Sequence, residues 1–399
     1  MSAMMALLLP MLVSIAWLVV LVVGLLIRPA KSRGIAAPDR MPNVTVMIPH
    51  YNEDIGRLLG TLEAVDSQRY TGRMDILLVD DGSTNQIQSH LASWVGGARK
   101  HAVKSIVLDR NTGRKGKALD EALACLPDDT DVVVIVDSDT IPSDGAMQRL
   151  VEHLWSDPGC AVACGYLVPC NPHASAMTRM QYREYTGPLS ATKLVQNHVR
   201  RVPTMAGAFS AHRRKVIEHI GGWGRWSVED MAWTWKALAF GYGSRYVVEA
   251  VALTRCPESV EELTRQRRRW SRGHIEAYGE LLRASPMVAL LMFPFLVWRV
   301  IKHTTLGFTP FNLLALCWIP TETIVLFAVQ TVLYLFVAML HVGRSANPCA
   351  QDWRDAIVSS TVGRSFGLWL WWPGVMGLAD AIRGGNRTWM TRGLHDDTN

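Results

Sequence analysis

The stretch TDVVVIVDSDTIPSDG (130–145) decides the fold. A run of apolar, mostly β-branched residues ends abruptly in Asp137 and Asp139. Such a run is a strand buried on both faces, because a strand with one wet face alternates instead. The same form recurs upstream. NVTVMIPHYNED (43–54), RMDILLVDDGST (73–84) and VKSIVLDRNTG (103–113) each run from an apolar strand into a polar loop. Helical patterns lie between them at 55–68 and 115–126. Strands alternating with helices predict an α/β unit with a mostly parallel sheet. Ligands of such sheets bind at the strand carboxyl ends. Glu53, Asp80, Asp81, Asp137 and Asp139 all stand at such ends.

The 399 residues carry 19% charged and 49% hydrophobic side chains, 15 Trp and a net charge of +6. This composition excludes a disordered or collagen-like chain. The seven Cys have no paired metal spacing and read as reduced thiols. Residues 4–27 are uncharged and long enough to cross a hydrocarbon core of about 30 Å. Arg28, Lys31 and Arg33 follow, so the next unit, 40–280, is expected on the cytoplasmic side. From 287 to 382 the chain is apolar again. There 287–298 reads as interfacial, 305–340 as long enough for two tilted crossings with a turn at Thr321–Glu322–Thr323, and 366–382 as a further candidate. Three to five spans are expected in all, with 383–399 as a cytoplasmic tail, in a multi-pass inner-membrane protein.

Asp137 and Asp139 can both turn toward one ion once the strand has ended. Hard carboxylate oxygens suit Mg²⁺ or Mn²⁺ shared with phosphate oxygens. Asp80 and Asp81 repeat that geometry on another strand, where a carboxylate can accept from a uracil N–H or ribose hydroxyls. An Asx turn explains one such Asp but not four on two strands. Lys115 and Lys117 stand where a loop becomes a helix, a place that favours phosphate. Glu229 and Asp230 begin another helix among three Trp. LTRQRRRWSRG (263–273) gathers five Arg around Trp270 just before an apolar segment, which reads as a lipid-facing surface.

PHYNED, VDDGST, GRKGKAL, DSDT, GAFSAHRR, VEDMAW and QRRRW follow one another between 49 and 270. Over roughly 43–273 the chain therefore resembles the membrane-embedded family 2 inverting glycosyltransferases, which include cellulose, hyaluronan, chitin-oligosaccharide and poly-N-acetylglucosamine synthases. The resemblance implies a GT-A-type fold and assigns roles. Asp81 would contact uracil and ribose, with Tyr51 and Glu53 lining the base pocket. Lys117 would lie toward the diphosphate, Asp137 would position donor sugar and diphosphate, and Asp139 would ligate the metal. Gly207, Ala208 and Phe209 would form the acceptor-side loop. Asp230 would be the catalytic base, with Glu229 beside it. Gln266, Arg269 and Trp270 match a Q-x-x-R-W signature, with Arg269 on the diphosphate and Trp270 under the acceptor sugar. Arg392, in TWMTRG (388–393), would reach back to the nucleotide. Asn85 departs from the acid often found after DDGST and is expected to alter only a helix start.

The expected reaction is metal-dependent transfer from UDP-N-acetylglucosamine or UDP-glucose to a growing β-linked glycan, with export. The alternative is a single transfer to a lipid acceptor. Partners would be the donor, the acceptor and membrane lipids, and any regulatory or export function would come from an accessory subunit. Nucleic acid is not expected: a nucleic-acid binder accounts for the Arg run but not for the terminal apolar segments or the acidic strand ends.

Overall fold

The computed structural model describes residues 3–27, 40–305, 310–344 and 349–383. Eight strands form one sheet: β1 Val44–His50, β2 Met74–Asp80, β3 Ala102–Val107, β4 Val132–Val136, β5 Thr140–Pro142, β6 Cys160–Pro169, β7 Phe209–Arg213 and β8 Gly243–Thr254. Their order is β3-β2-β1-β4-β7-β6-β8-β5. The four strands read from the sequence are β1 to β4, and they are mutually parallel. Alternation inside their apolar runs splits the core between the two faces. Val132, Val134 and Val136 face one side with Val46 and Leu78, whereas Val133 and Ile135 face the other with Met47 and Leu77. Helices Ile55–Asp66 and Ala146–Trp155 cover the first face, and Lys115–Ala122 and Glu229–Ala239 cover the second.

The sheet is mixed where the sequence predicts it mostly parallel. β7 runs antiparallel to both β4 and β6, and β5 antiparallel to β8. The reversal of β7 matters for function. Its amino end meets the carboxyl end of β4, with Phe209 opposite Val136. The loop that enters β7 thus stands at the same edge as Asp137, whose N–H donates to the Ala208 carbonyl at 3.0 Å.

The apolar termini form helices packed on this unit. Leu18, Leu21 and Leu25 of helix Ala3–Leu26 bury against Ala191 and against Val337 of helix Pro320–Val342. A Cβ on Gly24 would meet Val195 at 2.4 Å, so the N-terminal helix lies close on helix Ser190–Asn197. Their outer faces expose Val20, Val23, Ile324, Val332 and Phe336. Among the described residues, two helices are long and apolar enough to cross a bilayer, Leu8–Leu26 and Pro320–Val342.

The expected pair of crossings within 305–340 takes a different form. A nine-residue helix, Pro310–Trp318, precedes the 23-residue Pro320–Val342. At about 1.5 Å per residue the first is too short to span. Thr321–Glu322–Thr323 is the opening turn of the long helix rather than a turn between spans, since Pro320 at its first position needs no N–H partner. Helix Phe366–Arg383 lies against helix Val260–Ala284, where a Cβ on Gly377 would meet the Arg268 carbonyl at 2.3 Å. Residues 28–39 and 384–399, including Arg28, Lys31, Arg33 and Arg392, lie outside the described residues.

Candidate active site

The carboxyl ends of β1 and β2 are tied together by their loops. Asn52 adopts a positive φ of 48°, and its Oδ1 accepts from the Thr84 N–H at 2.8 Å. Asp80 accepts from the Ser83 N–H at 2.8 Å, closing the turn that presents Asp81. Asp81 is buried and accepts from the Thr112 N–H at 2.9 Å and its hydroxyl at 3.0 Å. Burial raises its carboxyl above the usual range, against the pull of those two bonds. Asn85 precedes helix Ile87–Val95 and donates from its side chain to the Glu53 carbonyl, so it ties two loops rather than starting a helix.

The centre of the site is Lys115. Its ammonium donates to the Asp137 carboxylate and to the Gly207 carbonyl at 3.0 Å, and pairs with Glu229 at 3.2 Å. Burial pulls its pKa down, but Asp137, Glu229 and Asp230 outweigh that and hold it above the usual lysine range. Lys117, which the resemblance assigns to the diphosphate, is exposed on the other side of the helix. Helical spacing carries the reason. Positions 115, 118, 119 and 122 share one face, and Ala118, Leu119 and Ala122 are fully buried. Gly116 is required beside Lys115, because a Cβ there would meet the Gly224 carbonyl at 2.2 Å.

Asp230 opens helix Glu229–Ala239 next to this cluster. Its Oδ2 accepts from the Gly207 N–H at 2.8 Å and its Oδ1 from the Met231 N–H at 2.7 Å. A Cβ on Gly207 would stand 2.9 Å from that carboxylate. Burial first, then the Glu229 charge, push the Asp230 carboxyl up to about 6, against the pull of Lys115. The loop before it is held from two directions. Asp120 accepts from the Trp223 and Gly224 N–H groups at 2.7 and 2.8 Å. Glu276 accepts from the Ser227 N–H at 3.0 Å, while Arg269 donates to the Ser227 carbonyl at 2.9 Å. Asp120 and Glu276 are positioning residues absent from the sequence reading. Their partners are backbone groups a hundred and about fifty positions away, which no local pattern marks.

A cavity of about 860 Å³ joins these groups to the C-terminal helices. Of the expected residues, Glu53, Asp137, Asp139, Gly207, Ala208, Glu229, Asp230, Gln266, Arg269 and Trp270 line it. Tyr51 and Asp81 are not in its wall. Phe209, at the start of β7 beside Val136 of β4, is fully buried as core, since the strand pleat turns it away from the cavity that Ala208 faces. Gln266 Oε1 is a buried acceptor without a partner among the described residues. The arginine run is mostly neutralised from within. Arg267 forks onto Glu184 at 3.0 and 2.7 Å while lying 4.5 Å over the Trp270 ring, Arg268 pairs with Asp380, and Arg272 with Glu276 at 2.8 Å. These pairs correct the lipid-facing reading of that stretch.

No group of three His, Cys, Asp or Glu suited to a metal occurs among the described residues. The donor set fits a hard cation that takes most of its ligands from phosphate oxygens and water: Asp139 is half-buried in the cavity wall, beside an Asp137 already engaged by Lys115.

Residues 42–273 match the model of the glycosyltransferase-like family 2. The chain belongs to that family. An N-acetylglucosaminyltransferase of Azorhizobium caulinodans is 30% identical over 240 residues, 58% of this chain and 59% of that protein. A poly-β-1,6-N-acetyl-D-glucosamine synthase of Staphylococcus epidermidis is 25% identical, over 59% of this chain and 55% of its own length. The chain thus spans less than two thirds of these relatives. Among solved structures, a mannosyltransferase from Pyrobaculum calidifontis in complex with GDP-Man and Mn²⁺ superposes with a TM-score of 0.67, at 18% identity, over 96% of this chain and 99% of that one. The likeness shows a GT-A-like α/β fold with a mixed sheet.

Proposed function

We propose that this family 2 glycosyltransferase transfers a sugar, N-acetylglucosamine or glucose, from its UDP donor to an acceptor hydroxyl with inversion. The observation that carries the reading is the placement of Asp230. Its carboxyl is raised to about 6 by burial and the Glu229 charge, is oriented by the Gly207 N–H, and opens on the cavity shared with Asp137 and Asp139. A base so poised can take the acceptor proton as the oxygen attacks the anomeric carbon. The bond to the diphosphate breaks in the same displacement. Lys115 and Arg269 offer positive charge where the leaving group gathers negative charge. Asp139, with Asp137, would hold Mg²⁺ or Mn²⁺, which supplies further charge stabilisation when bound. Gln266 Oε1 is an unmet acceptor for a sugar hydroxyl.

The acceptor end supports a lipid-anchored acceptor, because the cavity wall passes from carboxylates to Trp17, Leu18, Leu21, Phe366 and Leu370 on apolar helices. The second reading, a processive β-linked polymer, is favoured by Trp270 in the same wall, whose ring face can take successive sugars. One assay tests both. Purified full-length protein is given UDP-N-acetylglucosamine, UDP-glucose or UDP-glucuronate with Mn²⁺ or EDTA, and UDP release and product length are measured. Release that stops in EDTA and returns with Mn²⁺ supports the transferase reading. No release with any donor would sink it. A single-sugar glycolipid selects the first acceptor, and a ladder of lengthening glycans the second.

A further inference from the structure

The cavity ends among the apolar helices at a cation with no counter-charge. Arg364 lies on the short turn Val362–Ser365 and is only 6% exposed. Its guanidinium donates to the Gln330 side-chain oxygen at 2.8 Å, to the Thr331 hydroxyl and to the Phe327 carbonyl at 3.4 Å, and lies 4.0 Å over the Phe327 ring. Every one of these partners is neutral. The contrast with neighbouring arginines is sharp: Arg183 pairs with Asp355 at 2.7 Å, Arg267 with Glu184, and Arg268 with Asp380. Among the described residues no carboxylate lies within ion-pair distance of Arg364. A guanidinium cannot shed its proton to escape burial. A buried charge without a counter-charge is costly. Both Arg364 and Asp230 line the one cavity, with Tyr334, Leu21 and Phe366 also in its wall.

We propose that Arg364 is an anion subsite that takes the phosphate of an acceptor whose apolar chain lies along helices Ala3–Leu26 and Pro320–Val342. The site thereby selects a phosphate-bearing lipid, with the hydroxyl-carrying part of its headgroup directed toward Asp230. A planar fork suits phosphate, which accepts two parallel N–H bonds. Trp17, Leu18 and Leu21 of the first helix and Tyr334 of the second stand in the cavity wall and offer the apolar surface that such a chain covers. This inference rests on the reading of the cavity as the acceptor site of a transferase.

The test uses the full chain in a neutral detergent and follows its thermal unfolding. Three probes are compared: dodecyl phosphate, dodecanol and inorganic phosphate. Dodecyl phosphate should raise the unfolding midpoint in a saturable way, and the other two should not. Arg364→Met keeps the length and the packing on Phe327 but removes the charge. It should weaken dodecyl phosphate at least about tenfold, the scale of a lost charge-assisted hydrogen bond. Arg364→Lys should retain part of the effect, and UDP should stabilise all three proteins equally. An unmodified protein that ignores dodecyl phosphate overturns the proposal, whether or not the variants fold. So does a folded Arg364→Met that binds the probe as before, which leaves Arg364 as a staple between helices. An equal response to inorganic phosphate assigns the site to a soluble phosphate and defeats the lipid assignment. The UDP arm separates the two claims: loss of UDP stabilisation in the unmodified protein counts against the transferase reading, and the dodecyl phosphate arm still reports on Arg364.

Discussion

Around the proposed donor end, polar groups stand at strand ends and at a helix start and are fixed by backbone partners. Asp81 is held by the Thr112 N–H, Asp137 by its own N–H on the Ala208 carbonyl, and Asp230 by the Gly207 and Met231 N–H groups. At the acceptor end the wall is built from helix faces, and its order comes from side chains meeting side chains, as in Arg267 on Glu184 and Arg268 on Asp380. The first kind of order sets the position of a reacting atom, because the sheet cannot shift one strand without its neighbours. The second sets shape and charge, and it tolerates substitution wherever the pair is wet. The two ends should therefore respond very differently to single changes.

The largest effect is expected at the base. Asp230→Asn should lower transfer about 100-fold or more while UDP binding stays near normal, measured by single-turnover kinetics and calorimetry. The sign of the pH dependence follows from its raised carboxyl. The base is active when deprotonated, so the rate of the unmodified enzyme should fall about tenfold per pH unit below about 6 and level off above it. In the variant that limb should vanish. A variant that keeps half of the rate would move the role to Glu229.

A second test breaks the donor end by register. Lys115→Met strips one partner from a buried cluster of carboxylates and should cost about 3–5 kcal/mol in denaturant unfolding, with loss of activity. Lys117→Met, two residues away on the exposed face, should change stability by less than about 0.5 kcal/mol and activity by less than about twofold. Equal effects at the two positions would contradict the geometry around Lys115.

The smallest effect belongs to the acceptor end. Arg268 and Asp380 form a part-exposed pair, with side-chain exposures of 43% and 18%. Asp380→Asn should cost about 1 kcal/mol or less, a shift of a few degrees in the unfolding midpoint. A cost several times larger would mean that the acceptor wall is held as rigidly as the donor site.

The contrast also governs what could be read from the chain alone. β1 to β4 and their acids were legible because double burial leaves an unbroken apolar run and because the acids follow it directly. The direction of β7 was not, since FSAHR (209–213) looks the same whichever way it pairs. Without that reversal, Phe209 reads as part of the GAF loop rather than as core. Lys115 and Lys117 both read as phosphate-side groups; residue type alone does not separate them, whereas the helical face that Lys115 shares with Ala118 and Leu119 does. In the basic stretch 265–272 the composition showed charge, but the partners Glu184 and Asp380 lie about 80 and 110 positions away.

The close seating of helix Phe366–Arg383 on Val260–Ala284, with Gly377 against the Arg268 carbonyl, bears on how the protein is made. Synthesis runs from the N-terminus at roughly 5–20 residues per second, and domains fold as they emerge. Among the described residues, the groups proposed for the donor lie between Tyr51 and Trp270 and can assemble while the ribosome is still at work. The last wall of the cavity arrives more than a hundred residues later, several seconds behind. On the proposed reading, a nascent chain holds nucleotide before it has a closed place for an acceptor, and docking of the final helix is the step that completes the site.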